Sequence, residues 1–404
     1  MKYSRLLLGT IYLLSNIIFF FIMSSDLLLR GDFKQQVQID QISLNIGLSL
    51  ILLSFLFIFS IFSLSENSNR RKKTFQDNQK CNILDYIFAS LAILYLIGFY
   101  LGYISVFKTV SPPFWWNLSA FIIPYSYIFI LYIYYRLEHF NYISAFVSLV
   151  VILTSLVQLQ TGVFIFFIPL AVEMMRKKYS YRKITTIILT GILIYPFFRH
   201  LKGVIGHFIL YDGSSLSYFM DIYFTDFYDD GFLSYYFFLL SRTLERFQHL
   251  ANISYVIYNL DYLNSLVSNN DVFNLYFKPF SVIFDKVISL PDNALYMNAL
   301  VAKTIDSTKD WNVHLGFFGG LLLSYEYLII LPVTLFIIFF VNIVSNRYLV
   351  SSVVDLHWLV VLCFVFHGWF NAYFEFFQAW LVFSVILAVS NTLKRCSFYV
   401  SSVS

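Results

Sequence analysis

The chain has 404 residues, of which 59% are hydrophobic and 12% charged, with a formal net charge of +4 and a mean hydropathy of +0.72. Soluble domains carry roughly a quarter charged residues, so the composition excludes a conventional soluble enzyme and points to a polytopic membrane protein; nothing in it points to a nucleic-acid partner. Only three cysteines occur, Cys81, Cys363 and Cys396, which gives no support for a disulfide framework or a zinc site.

Apolar stretches near twenty residues, long enough to cross a bilayer core as helices, recur along most of the chain. In order they fall at about 5–24, 43–64, 85–106, 116–135, 141–157, 162–175, 184–198, 316–342, 351–370 and 375–393. The first follows Lys2 and Arg5, but it exceeds a signal-peptide core and has no small-x-small cleavage pattern, so it reads as a retained helix. The two spans in 141–175 share a short segment around "QLQTG" and read as a hairpin, because basic residues flank both ends, at Arg136 and at Arg176 to Lys178. With a cytoplasmic N-terminus, 16 of the 27 basic residues fall in inner segments, among them Arg70 to Lys73, Arg136, Arg182, Arg347 and Arg395. The short outer loops hold only Arg30, Lys34 and Lys108, as the positive-inside rule requires, and both termini are then cytoplasmic.

The fold class expected is therefore an all-α polytopic membrane protein of about 10 transmembrane helices with one large extracytoplasmic helical loop. Its parts are an N-terminal bundle (1–198), the outer loop (199–315) and a C-terminal bundle (316–404). The loop holds eight basic and twelve acidic residues, a net of −4, so its arginines are not part of a general cationic surface. Its aromatic runs, "YFMDIYFTDFY" and "LSYYFFLLSR", suit helices lying at the interface.

Within that loop "FLLSRTLERFQHL" places Arg242, Arg246 and His249 at i, i+4, i+7. On a continuous helix they share one stripe, with Glu245 three residues from Arg242. Two guanidiniums suit bidentate recognition of a phosphate; the bland alternative is a solvated face holding an Arg242–Glu245 ion pair. "YPFFRHLKG" adds Arg199, His200 and Lys202 where the seventh span leaves the membrane, a position that snorkelling anchors also occupy. "WNVHLGFFGGLLLSYEY" then brings His314 to the outer edge of the eighth span, with Gly316, Gly319 and Gly320 open to close backbone approach. Glu326 falls two to three turns inside that span, where an ionisable residue is a functional candidate. "FHGWFNAYFEFFQAW" sets His367, Asn371 and Glu375 around the last outer turn. The carboxylates of "DFYDD" (Asp226, Asp229, Asp230) lack the spacing of a calcium cage. Gly98 and Gly102 read as a helix-packing pair. There is no nucleotide-binding or metalloprotease motif, so no cofactor or metal is expected and energy must come from an activated substrate.

Many spans, one long late outer loop with arginines, and a His-then-Gly lead-in to the next helix together resemble the bacterial oligosaccharide repeat-unit polymerases (O-antigen polymerase, Wzy-type), relatives of the O-antigen ligases. The resemblance implies a membrane glycosyltransferase at the outer face of the bacterial inner membrane, active in lipopolysaccharide or capsule polysaccharide biosynthesis. Its substrates would be undecaprenyl-pyrophosphate-linked oligosaccharides, and a chain-length regulator protein would be a further partner. By residue match, Arg199, Arg242 and Arg246 would hold the pyrophosphate, with Lys202 and His249 beside them. "HLGFFGG" matches the family's His-to-Gly-x-x-Gly pattern, which makes His314 the first candidate for the base and leaves Glu326 and Glu375 behind it. The chain departs from the family where many members carry an Arg in a small-residue motif after the fifth span; "LQTGVFIFF" has Thr161, Gly162 and Val163 there. A ligase would share nearly every feature and differ in its acceptor. A flippase for the same lipid-linked oligosaccharide would show internal repetition and short loops, and this chain has neither.

Overall fold

The computed structural model describes residues 2–31, 37–67, 83–104, 111–157, 179–210, 231–269, 295–305 and 313–401, with a few residues in short pieces between them. They are almost wholly helical. The N-terminal half contains α1 (Lys2–Asp26), α2 (Gln41–Asn67), α3 (Ile83–Tyr100), α4 (Phe114–Ile122), α5 (Tyr125–Tyr135), α6 (Tyr142–Val157) and α7 (Tyr181–Leu210). Beyond them lie α8 (Phe232–Leu244), α9 (Leu250–Tyr258), α10 (Leu260–Asn269) and α11 (Met297–Ile305). The chain ends with α12 (Gly319–Leu323), α13 (Tyr327–Tyr348), α14 (Ser351–Val360) and α15 (Phe370–Ser401). The strand pairing among the described residues is a two-residue parallel ladder, Val272–Phe273 against Leu295–Tyr296.

Five described helices are long and apolar enough to cross a membrane, and a sixth crossing forms if the bent pair α4–α5 counts as one span. Fully apolar side chains such as Phe336 and Val385 stand exposed on these helices, as lipid-facing positions require. The sixth predicted span, 162–175, lies outside the described residues, as do Asp226, Asp229 and Asp230. Four other predicted spans differ, the fourth, 116–135, being the bent pair α4–α5. The eighth, 316–342, is not continuous: residues 313–318 form an extended loop and a turn, α12 is a short helix, and α13 begins only at Tyr327. The ninth becomes α14 followed by a π-helical turn, Val361–Val365. The seventh extends past residue 198 as one helix to Leu210, so Arg199, His200 and Lys202 lie within α7 and not in a loop.

Helix breaks here have local causes. Pro124 cannot donate the hydrogen bond that would continue α4 into α5, and the two helices meet at 45°. The carbonyls of Phe121 and Ile122 freed by the break accept from the Gln378 side-chain amide of α15, at 2.6 and 3.0 Å. Gly98 faces the Trp116 indole, which occupies the space a Cβ would need; the expected Gly98–Gly102 packing motif accommodates a ring instead.

One polar clamp ties the side of the bundle where α3 begins and α5 ends. Arg136 and Asp85 form a bidentate pair, Nε to Oδ1 at 2.8 Å and a second guanidinium N–H to Oδ2 at 2.9 Å. Tyr132 donates to Oδ1 at 2.7 Å and Asn141 to Oδ2 at 3.1 Å. Both charged residues are buried. Arg136 is thus a neutralised interior cation rather than a solvated charge of an inner loop.

Residues 232–269 do not stand apart as an outer lobe. α8 packs on α7, and α9 lies in the core against α2 and α1. Nearly every residue of α9, from Leu250 to Val256, is buried. Gly47 of α2 admits it: a Cβ there would meet Ser254 Oγ and stand 3.2 Å from Leu250. α10 continues from α9 and rests against α12.

Candidate functional site

The stripe expected of Arg242, Arg246 and His249 does not form. α8 stops at Leu244, residues Glu245–Phe247 tighten into a 3-10 turn, and His249 follows in a non-helical conformation (φ −133°, ψ 11°) before α9. A 3-10 turn advances about 120° per residue instead of about 100°, so positions 242, 246 and 249 no longer align. Arg242 lies in the last turn of α8 and Arg246 in the 3-10 turn, three residues from His249. The side chains of Arg199, Lys202, Arg242 and Arg246 lie outside what is described.

His249 turns into the core, where it is completely buried. Its ring lies 4.9 Å from that of His367, centroid to centroid, and 4.5 Å edge-on from Phe366. His314 approaches His367 from the other side at 5.1 Å and stacks at a tilt on Trp369 at 4.1 Å. Tyr12 of α1 packs on His367 at 5.2 Å and on Phe247 at 5.4 Å. Three imidazoles from three distant segments therefore surround one point, with His367 in the middle.

Backbone chemistry holds each segment. Asn16 of α1 fixes the His249 turn: its Oδ1 accepts the His249 backbone N–H at 3.1 Å, and its Nδ2 donates to the Tyr12 and Phe247 carbonyls at 2.8 and 3.3 Å. The His314 loop and the His367 turn are latched to each other, because Gly316 N–H donates to the His367 carbonyl at 3.0 Å. Two glycines make the latch possible. Gly316 (φ +74°) and Gly368 (φ +81°) both adopt a conformation that other residues resist. A Cβ on Gly368 would stand 2.5 Å from the Gly316 carbonyl oxygen, and one on Gly316 would stand 2.9 Å from the His249 ring. The π-helical turn just before His367 inserts the extra residue that redirects it. Tyr12 closes the floor, its hydroxyl 3.3 Å from Cys363 Sγ.

Burial pushes the His249 imidazole well below its ordinary pKa, and the neighbouring His367 adds to the shift. The ring is neutral at pH 7, with one N–H and one lone pair, and neither nitrogen has a hydrogen-bond partner. Buried polar atoms are seldom left so; the arrangement costs about 1–3 kcal/mol. Chemically the His249 ring is a proton acceptor enclosed by the Phe366 and His367 rings. No group of His, Cys, Asp or Glu among the described residues is arranged to hold a metal ion.

The other predicted residues lie elsewhere. Glu326 is not deep in a span: it is the residue before α13, half-buried at the break that follows Ser324. Glu375 is half-buried on α15, eight residues beyond His367 and within electrostatic reach of Tyr127. The structure thus joins His314 and His249 with His367, which the sequence places at the last outer turn without a specific role, and adds Tyr12 and Asn16, which sequence reasoning missed. A signal for His367 existed in "FHGWF", a second His followed closely by Gly, parallel to "HLG". Comparison of the chain with protein families, with curated proteins and with solved structures finds no match.

Proposed function

We propose that the chain is a membrane glycosyltransferase that polymerises lipid-linked oligosaccharide repeat units, with the three-histidine pocket as its proton-transfer centre. The observation that carries this reading is the buried imidazole cluster in which His249 keeps two unpartnered ring nitrogens. Repeat-unit transfer needs a base in a water-poor site and a cationic stabiliser for the leaving group, but no metal. An acceptor hydroxyl gives its proton to an imidazole and its oxygen bonds to the anomeric carbon of the donor glycan. The bond from that carbon to pyrophosphate breaks, and the electron pair leaves with the phosphate oxygen.

His314 is the base in this scheme, because it is half-buried where the other two rings are enclosed. A positioned base contributes about 10²–10⁴-fold. Arg242 and Arg246 receive the pyrophosphate charge; each such donor is worth roughly a hundredfold or more. Their support is their nearness in the chain, since Arg246 precedes His249 by three residues. His367 sits between the other two rings and relays orientation, while Trp369 holds the plane of His314. The resemblance implies a site at the outer face of a bacterial inner membrane, and the basic residues of the short loops imply that both termini are cytoplasmic.

The test is chain extension in cells. His314→Ala is expected to leave membrane abundance intact and to collapse long surface glycan to a single repeat on a polysaccharide gel. Normal ladders in that variant remove the assignment. A ligase would instead lose all glycan attached to lipid A core while lipid-linked polymer accumulates, which the same gel separates.

A further inference from the structure

A cavity lies at the other end of α12 from the His314 loop. It is a groove of about 690 Å3 between α10 and the α12–α13 hinge. The leucines of α12 form its apolar side. Asn264 and Ser268 of α10 line the opposite wall, and Ser324, Tyr325 and Glu326 of the hinge complete it.

The hinge exists because Ser324 is extended (φ −149°, ψ 131°) between two helices. Gly320 allows the chain to fold back, since the Tyr327 ring fills the place of its Cβ. The Ser324 hydroxyl accepts the Glu326 N–H at 3.3 Å, which orients the turn but leaves the carboxylate unused. Glu326 has no cationic partner among the described residues. Tyr325 stands 82% exposed at the rim, and α10 offers the Asn264 amide, also exposed.

A carboxylate, an amide, two hydroxyls and an open aromatic face, with leucines between them, match one kind of ligand well. Sugar hydroxyls donate charge-assisted hydrogen bonds to a carboxylate, and the C–H face of a pyranose covers an aromatic ring and apolar side chains. Among the described residues the lining contains no lysine, arginine or histidine and does contain the Glu326 carboxylate, which would repel a phosphate.

We propose that this groove is the acceptor subsite and binds the glycan of an incoming repeat unit through Glu326, Asn264 and Tyr325. The assignment of an acceptor rests on the polymerase reading; the recognition of sugar rests on the groove alone. α12 has five residues, a rise of about 7.5 Å, and joins the groove to the His314 loop. A glycan seated in the groove therefore places its hydroxyls one short helix from the base. In this arrangement Glu326 binds substrate rather than taking the proton.

The experiment is saturation-transfer NMR on the full chain in phosphatidylcholine nanodiscs, with glucose, galactose, N-acetylglucosamine and rhamnose as separate probes and inorganic phosphate followed by phosphorus NMR. Transfer to at least one sugar is expected. It should weaken at least tenfold in Glu326→Gln and Asn264→Ala, weaken less in Tyr325→Ala, and persist in His314→Ala. All three groove positions are exposed or half-buried, so these variants retain the fold, and a melting curve checks it. No transfer in the parent chain, transfer that survives both Glu326→Gln and Asn264→Ala, or Glu326-dependent capture of phosphatidylethanolamine in place of sugar overturns the proposal. Glu326-dependent sugar binding alongside normal glycan ladders in His314→Ala upholds the sugar subsite and removes the polymerase reading.

Discussion

Two buried polar clusters in this bundle are built on opposite plans. Around Asp85 every oxygen is engaged: Arg136 grips both, while Tyr132 and Asn141 add one bond each. Around His367 the backbone is held by the Gly316 and Asn16 hydrogen bonds, while His249 presents two ring nitrogens with no hydrogen-bond partner. Satisfaction marks a cluster that holds the fold. Its absence at His249, beside a main chain so firmly fixed, sets that cluster apart from the clamp.

The contrast can be broken from either side. The largest effect is expected at the clamp. Asp85→Ala strands the buried Arg136 charge, which costs about 3–5 kcal/mol; the chain should vanish from membranes or melt far lower in detergent, and parent-like melting would mean that water reaches the site. Next comes Arg242→Ala or Arg246→Ala, each expected to cut chain extension about a hundredfold with protein level unchanged, measured by gel ladder and immunoblot. Unaltered banding would strip those arginines of the pyrophosphate role.

His249→Leu sharpens the comparison further. Removing an unpartnered polar ring in favour of an apolar group should leave stability equal to the parent or slightly higher, while glycan extension fails. Loss of folding in this variant would show that the ring is structural after all. The smallest effect is a pH slope. His249 is neutral in the folded chain and its pKa lies below the unfolded value of about 6.5, so the unfolded state binds the extra proton as pH falls. Stability from this residue is complete above about pH 6.5 and is lost below it, at up to about 1.4 kcal/mol per pH unit. Melting temperatures at pH 7.5 and 5.5 should drop less for His249→Leu than for the parent; identical drops would place the titration elsewhere.

The helical class and the positions of α1, α2, α3 and α15 follow from apolar run length, a property each segment carries by itself. The breaks were less legible. "SRTLERFQHL" contains neither glycine nor proline, so nothing local announces the 3-10 turn that carries His249 away from the arginines and into the core. At Ser324 the nearby Gly319 and Gly320 are a local signal, but they read as packing glycines and not as the break that lifts Glu326 out of the predicted span. Arg136 looked like a loop charge because its partner lies 51 residues earlier, beyond any periodicity argument. The glycines were better guides. Gly316 was expected to admit another backbone, and it meets that of Gly368.

That latch has a consequence for biogenesis. Asn16, His249, Gly316 and Gly368 are drawn from the whole length of the polypeptide, and the knot that joins them includes the turn immediately before the last helix. A ribosome-bound chain that has delivered all but its final hairpin to the membrane carries most of the bundle but lacks His367, the ring at the centre of the pocket. The pocket would be completed in a single late event, when residues 361–370 lock against the 313–318 loop.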